Sequence, residues 1–229
     1  RNKPPTANVS IKILKTFLSW AMKRRKIKTN PAQFVELLNT TNRKDKIWTQ
    51  QQLEGFCDAA IPKVRDIFLA ALFIGQRNGD VRKMKWSDYD GEWLHVKQEK
   101  TGAVVNFPVQ KLWPLNQVLD IPPKVGPTIF TSPRGKPWGN TNLHLAMVPC
   151  RKKANADDLH WHDRRGPLVF LLAEAGCSEI QTATITGHSV MKSQVDGYLN
   201  MGQNLAIEAC TRLGSMLLKK PTNYLQISH

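Results

Sequence analysis

The chain has 229 residues, 41% of them apolar, and carries 33 Lys and Arg against 18 Asp and Glu, a net charge of +15 with pI about 9.9. That length fits one large domain or a domain plus a fragment, and the apolar content is enough for a real core. No apolar run reaches membrane-spanning length, and the start, RNKPPTANVS, has no signal-peptide apolar region, so a cytoplasmic protein is expected. The charge points to a polyanionic partner, nucleic acid before membrane. Cys57, Cys150, Cys177 and Cys210 lie far apart with no C-x-x-C, which speaks for reduced, mostly buried thiols rather than a disulfide framework or zinc ribbon.

Residues 1–35 hold no acidic residue, while Lys12, Lys15, Lys23, Arg24, Arg25, Lys26 and Lys28 accumulate. Ile11, Leu14, Leu18, Ala21 and Met22 recur at helical spacing, with Phe17 and Trp20 beside them, which predicts one amphipathic helix of about five turns. A single helix cannot bury its own stripe. Residues 1–38 therefore read as the end of a helical domain, or else as an N-terminal arm packed on the main domain. Asn30-Pro31 stops the helix, and the polar run 39–46 reads as a linker.

A second domain, 47–229, opens with clear signals. Thr49 and Gln52 form a capping box, and Trp48 and Leu53 a hydrophobic staple, for a helix to about Ala60. Pro62 starts a strongly apolar helix that Gly75 ends. Gln76, Arg77, Asn78, Gly79 and Asp80 come next, then a short helix to about Lys85; the aspartate can hold the arginine rigid or merely form a surface ion pair. Around Glu99-Lys100-Thr101-Gly102, WLHVKQ and AVVNFPV alternate apolar and polar residues, the pattern of a β-hairpin with Lys100 at its tip. The run 121–127 and TSPRGKPWGN read as loops, and Asn140 as the N-cap of a helix to about Ala154. The predicted fold is mainly α with a small antiparallel β-sheet.

From Arg164 to Ala175 the spacing of Leu168, Val169, Leu171, Leu172 and Ala175 predicts a buried helix, with Pro167 tolerated in its first turn and Gly176 closing it. His162 and Arg165 then stand at a helix N-terminus, where amides and dipole favour an anion. Ser178 and Gln181 form another capping box for a helix that ends at Gly187 and presents His188. A further short helix through Val195 carries Tyr198, and Leu205, Ile207, Ala209, Leu213, Met216 and Leu217 mark a last helix over 204–219.

In this order, Arg77-x-x-Asp80, Lys100 in a hairpin, His162-x-x-Arg165, Gly187-His188 and Tyr198 resemble the tyrosine recombinases, the phage integrases. TATITGHS and LLAEAGC look like the prophage-type integrases of bacteria. The resemblance covers roughly 48–200, and the helix before it is similar to the end of that family's core-binding domain. It implies that the chain breaks and rejoins double-stranded DNA at specific sites through a covalent 3′-phosphotyrosyl link. Arg77 and Arg165 would clamp the scissile phosphate, Asp80 would buttress the arginine-bearing turn, and Tyr198 would be the nucleophile. Lys100 would protonate the 5′ leaving oxygen, His162 would serve as acid or base toward the tyrosine, and His188 would hydrogen-bond the phosphate. No metal, ATP or other cofactor is implied, because the arginines and a helix N-terminus supply the charge. The family also implies a tetramer on DNA, with helix 204–219 packed on a neighbouring protomer. Packing on its own domain is the alternative.

Two features depart from the family pattern. Arg164 stands where leucine is usual, which allows a register with Arg164 as clamp, although counting back from LLAEAG favours Arg165. His160 and His162 form an H-x-H pair without a carboxylate or cysteine at matching spacing. Two rival readings remain: a DNA-binding relative that keeps the fold without the reaction, and a type IB topoisomerase-like enzyme that keeps the chemistry but relaxes strands singly, without exchanging partners. DNA contacts are expected from Lys12, Lys15, Lys23, Arg24, Arg25 and Arg164, to phosphates or to base edges.

Overall fold

The computed structural model describes residues 4–38, 46, 48–119, 126–159, 165–187 and 199–219. They form two compact units, divided between Asp45 and Lys46.

The first unit is built on α1 (Pro4–Lys23). Two buried asparagines fasten the succeeding residues back onto it. Asn8 donates from Nδ2 to the Leu38 carbonyl and accepts from the Leu38 amide, both at 2.8 Å. Asn30 donates to the Lys15 carbonyl and to Ser19 Oγ. The predicted apolar stripe is only partly covered: Ala21 is buried, whereas Leu14, Phe17, Trp20 and Met22 are exposed. Phe17 and Trp20 stack at 6.0 Å, and Arg24 lies over the Trp20 ring at 4.9 Å.

The second unit is organised around α3 (Pro62–Ile74). From Ile67 to Ile74 every residue is buried, as expected of a helix that is apolar on all sides. Pro62 opens it, and Gly75 closes it in the left-handed region at φ 60°. Before it, α2 (Gln50–Ala59) starts at the Thr49–Gln52 capping box, and Trp48, Phe56 and Phe68 make an aromatic cluster against α3. After it come α4 (Asn78–Lys83) and a single 3-10 turn at Trp86–Asp88.

Strands β1 (Trp93–Lys97) and β2 (Val104–Pro108) pair antiparallel in the register Leu94–Phe107 and Val96–Val105. Those four side chains face the core, while His95 and Asn106 bond to each other at 2.9 Å on the other face. Another 3-10 turn (Val109–Lys111) and α5 (Trp113–Leu119) come after the hairpin, where the sequence predicts no element. Isolated bridges, Lys85 to Thr128 and Thr131 to Pro137, order the polypeptide leading to α6 (Asn140–Lys153). Here the N-cap is Gly139, not the expected Asn140, and Pro149 lies within the helix.

Helices α7 (Arg165–Glu174) and α8 (Glu179–Thr186) come next. The face of α7 is narrower than its apolar spacing suggests. Leu168 and Leu172 are buried, but Val169 is 38% and Phe170 63% exposed. The Ser178–Gln181 capping box forms as expected. Helix α9 (Leu199–Lys219) starts five residues earlier than predicted. It buries Ala206, Ala209, Cys210, Leu213 and Leu217 against α8, β2 and α7 of its own unit. The Gln181 amide donates to Glu208 at 2.8 Å and ties the start of α8 to α9. No disulfide joins the four cysteines, and Cys57, Cys150 and Cys210 are buried.

Candidate active site

The second unit brings three chain segments together at the C-terminal end of α3. The first is the turn after Gly75, whose conformation and crowding both exclude a side chain. A Cβ there would stand 2.4 Å from Leu168 Cδ2, so the bare backbone lets α7 close onto the end of α3. Two residues on, half-buried Arg77 caps α4. Its Nη1 donates to Gln98 Oε1 at 2.9 Å.

The second segment is the hairpin tip. Gly102, at φ 72°, returns its amide to the Gln98 carbonyl, and the Gln98 amide donates to the Ala103 carbonyl. This tight closure leaves Lys100 exposed. Asp80 plays a different part from the one expected. No Arg77–Asp80 ion pair forms among the described residues; Asp80 Oδ1 accepts the Glu99 backbone amide at 3.0 Å instead. The reason is position. Asp80 lies in the first turn of α4 and is buried against the tip, so the nearest donor is a hairpin amide. It therefore fastens the lysine-bearing turn to α4, and the side chain that holds the arginine is Gln98. An exposed Lys83–Glu99 ion pair spans the same gap but contributes little.

The third segment is the end of α8. Gly187 takes φ 66°, and a Cβ on it would stand 2.2 Å from Gln98 Nε2 and 2.9 Å from Val105 Cγ2. The helix end thus docks flat on the hairpin, and His188 is the next residue in sequence.

Arg165 is the first residue of α7, with its side chain outside the described set. His160, His162, Arg164, His188 and Tyr198 also lie outside the described residues. Tyr198 directly precedes α9, as His188 directly follows Gly187. The structure thus unites Arg77, the Lys100 hairpin, the start of α7 and the end of α8 around one core. In the first unit Lys12, Lys23, Arg24 and Arg25 are exposed and Lys15 half-exposed. Of the other tyrosines, Tyr89 donates its hydroxyl to the Gly91 carbonyl at 2.9 Å, and Tyr224 lies outside the described residues. Among the described residues no cluster of three His, Cys, Asp or Glu side chains could hold a metal, and no helix is long and apolar enough to cross a membrane.

Gln98 is a site residue that motif and spacing alone do not single out. One signal was available: it continues the Leu94, Val96 phase of β1, so a polar side chain falls on the buried face of a strand.

No protein-family model matches the chain. Among curated proteins, the integrase of Enterobacteria phage 434 is 27% identical over 196 residues, which is 78% of this chain and 55% of that protein. The integrase of Escherichia phage lambda is 30% identical over 129 residues, 52% of this chain and 36% of that one. The chain thus spans about half the length, or less, of the curated relatives it matches. Among solved structures, the lambda integrase catalytic core superimposes with a TM-score of 0.56 at 25% identity, over 62% of this chain and 95% of that one. The chain is thus similar to the phage integrases, and over much of its length to their catalytic core. A lambda integrase fragment bound to DNA matches this chain more broadly, with a TM-score of 0.67 at 21% identity over 86% of this chain and 76% of that one. The mainly α architecture with one small antiparallel sheet is the fold of those integrases.

Proposed function

We propose that the chain is a site-specific DNA recombinase that breaks and rejoins strands through a covalent 3′-phosphotyrosyl intermediate. The observation that carries this reading is the placement of Arg77. Its guanidinium is held by a buried amide at the junction where the Lys100 hairpin, the start of α7 and the end of α8 meet. A planar cation fixed in this way suits the non-bridging oxygens of a phosphodiester and keeps its charge at any working pH.

In the proposed reaction Arg77 and Arg165 clamp the phosphate, and His188 adds a hydrogen bond. The Tyr198 hydroxyl attacks phosphorus, losing its proton to His162. The bond to the 5′ oxygen breaks, and Lys100 gives that oxygen its proton. Attack by a 5′-hydroxyl from another strand reverses these steps and releases the tyrosine. The phosphodiester energy is kept in the covalent link, so no ATP is consumed. Asp80 holds the Lys100 turn in place. Residues 1–38 are proposed as the C-terminal end of a helical core-binding domain, joined through 39–46 to the catalytic domain 47–229. The exposed face of α1 supports that assignment. The lambda integrase tetramer has been solved on a Holliday junction; the same assembly on DNA, acting on bacterial cytoplasmic DNA, is proposed here.

A suicide DNA substrate, whose cleaved strand diffuses away before rejoining, tests the reading. A covalent protein–DNA adduct is expected from the parent chain and from Tyr224→Phe, and none from Tyr198→Phe. Ligation to a second duplex then separates recombination from relaxation of a single strand. Adduct formation that survives Tyr198→Phe, or DNA binding with no adduct, overturns it.

A further inference from the structure

Gln98 is fully buried, and every hydrogen-bonding capacity of its amide is taken up. Its Oε1 accepts from Arg77 Nη1 at 2.9 Å and from Thr101 Oγ1 at 2.7 Å. Its Nε2 donates to Gln76 Oε1 at 2.7 Å and to the Thr186 carbonyl at 3.1 Å. The orientation is forced, because a guanidinium can only donate and a backbone carbonyl can only accept. Gln76, also buried, donates in turn to the carbonyls of Ile74 and Ile185. Two glutamines therefore join the end of α3, the end of α8 and the hairpin. Buried amides carry such a load only when each group is satisfied, since a half-satisfied network costs more than an apolar one.

We propose that Gln98 is a positioning residue for strand cleavage, its oxygen setting Arg77 and the Lys100 tip in one geometry while its nitrogen anchors the helix end before His188. The inference rests on the proposed recombinase reaction, in which Arg77 and Lys100 serve the scissile phosphate. Thr101 is the link to Lys100: its hydroxyl docks the exposed tip on the same oxygen that holds the arginine. Neither Gln98 nor Thr101 touches the reacting atoms. Their effect is on where the guanidinium and the ammonium sit when the phosphate arrives, and a misplacement of about 1 Å is enough to cost on the order of 100-fold in rate.

The test compares Gln98→Met, which keeps side-chain length without the amide, with Thr101→Val, which alters only the exposed tip. Single-turnover adduct formation at saturating DNA is measured beside DNA affinity and the thermal midpoint. Gln98→Met is expected to slow cleavage by on the order of 100-fold with affinity within a few-fold. Thr101→Val is expected to slow it by about 10-fold with a thermal midpoint lowered by no more than a few degrees, since Arg77 still donates to the Gln98 oxygen. A substrate carrying sulfur in place of the 5′-bridging oxygen supplies the readout that a purely structural role would not move. A thiolate leaves without a proton, so this substrate should restore the Thr101→Val rate and only part of the Gln98→Met rate, where the Arg77 clamp is also loosened. The proposal is overturned if Thr101→Val cleaves at the parental rate, or if sulfur restores neither variant. It is overturned equally if the Gln98→Met loss follows its DNA affinity. Should Gln98→Met fail to fold, Thr101→Val alone decides. Arg77→Ala and Tyr198→Phe run alongside: activity in either removes the underlying recombinase reading, whereas their inactivity with fully active Thr101→Val removes only the positioning role.

Discussion

Cys210 shows how strongly single side chains in α9 depend on burial. Enclosure pushes its thiol up to about 12 from an ordinary 9.0, with the nearby Cys177 thiol adding to the same direction. Burial also raises Cys177 and Cys150. A raised thiol means the folded state holds a proton that the unfolded chain releases. The stabilisation is complete below pH 9 and is lost as pH climbs from 9 toward 12, with a slope of up to about 1.4 kcal/mol per pH unit for one proton. Urea unfolding at intervals over that range should show this slope, and Cys210→Ala should be flatter than its parent by up to that amount. Equal slopes in the two proteins would show that the thiol ionises as readily folded as unfolded. Alkylation at pH 8 gives an independent check: half-buried Cys177 should react first, and Cys57, Cys150 and Cys210 only once the chain is unfolded.

At the scale of elements, a close approach of backbones decides what α9 tolerates. A Cβ on Gly214 would stand 2.4 Å from the Lys111 carbonyl oxygen, in the 3-10 turn after β2. In a free helix Gly→Ala stabilises by about 1 kcal/mol. Here the contact is with backbone that no rotamer change can move, so Gly214→Ala should lower stability by about 1–3 kcal/mol, as overpacking does, while Gly202→Ala, with open space around it, should raise it slightly. Denaturant midpoints of the two variants check the opposite signs. What was legible in the sequence at this scale was local chemistry. The Thr49–Gln52 and Ser178–Gln181 boxes, the Pro62 to Gly75 helix and the Gly102 hairpin each depend on residues within a few positions of one another. Less legible were elements fixed by distant neighbours. Helix α5 sits before a proline-rich run and is only seven residues long, so Leu115, Val118 and Leu119 give it a period of barely one turn, and α9 begins five residues ahead of the predicted Asn204. The Gln98 junction joins residues 21, 22 and 88 positions away, so only the folded chain reveals that Asp80 holds the hairpin and Gln98 the arginine.

Over the whole molecule the charge is unevenly placed, and that has a measurable consequence for the proposed DNA binding. Glu36 and Asp45 are the only acidic residues in the first 45, so the smaller unit carries more than half of the +15. Lys12, Lys23, Arg24 and Arg25 are exposed there, Lys15 partly so, and the Trp20 ring braces Arg24. Cations that neutralise DNA phosphates release condensed counterions, which makes affinity fall with salt by about 0.9 log units per log unit for each contact. Replacing Lys12, Lys15, Lys23, Arg24 and Arg25 by glutamine should therefore flatten the salt dependence of binding by up to about 4.5 in slope. The single-turnover cleavage rate at saturating DNA should stay as it was, because Arg77 and the Lys100 hairpin belong to the other unit. Comparing a cognate site with random duplex then sorts the contacts. Equal weakening on both assigns these residues to phosphates, and a greater loss on the cognate site assigns them to base edges. A salt slope identical to the parent's would mean that the basic helix does not touch DNA and that its charge serves something else.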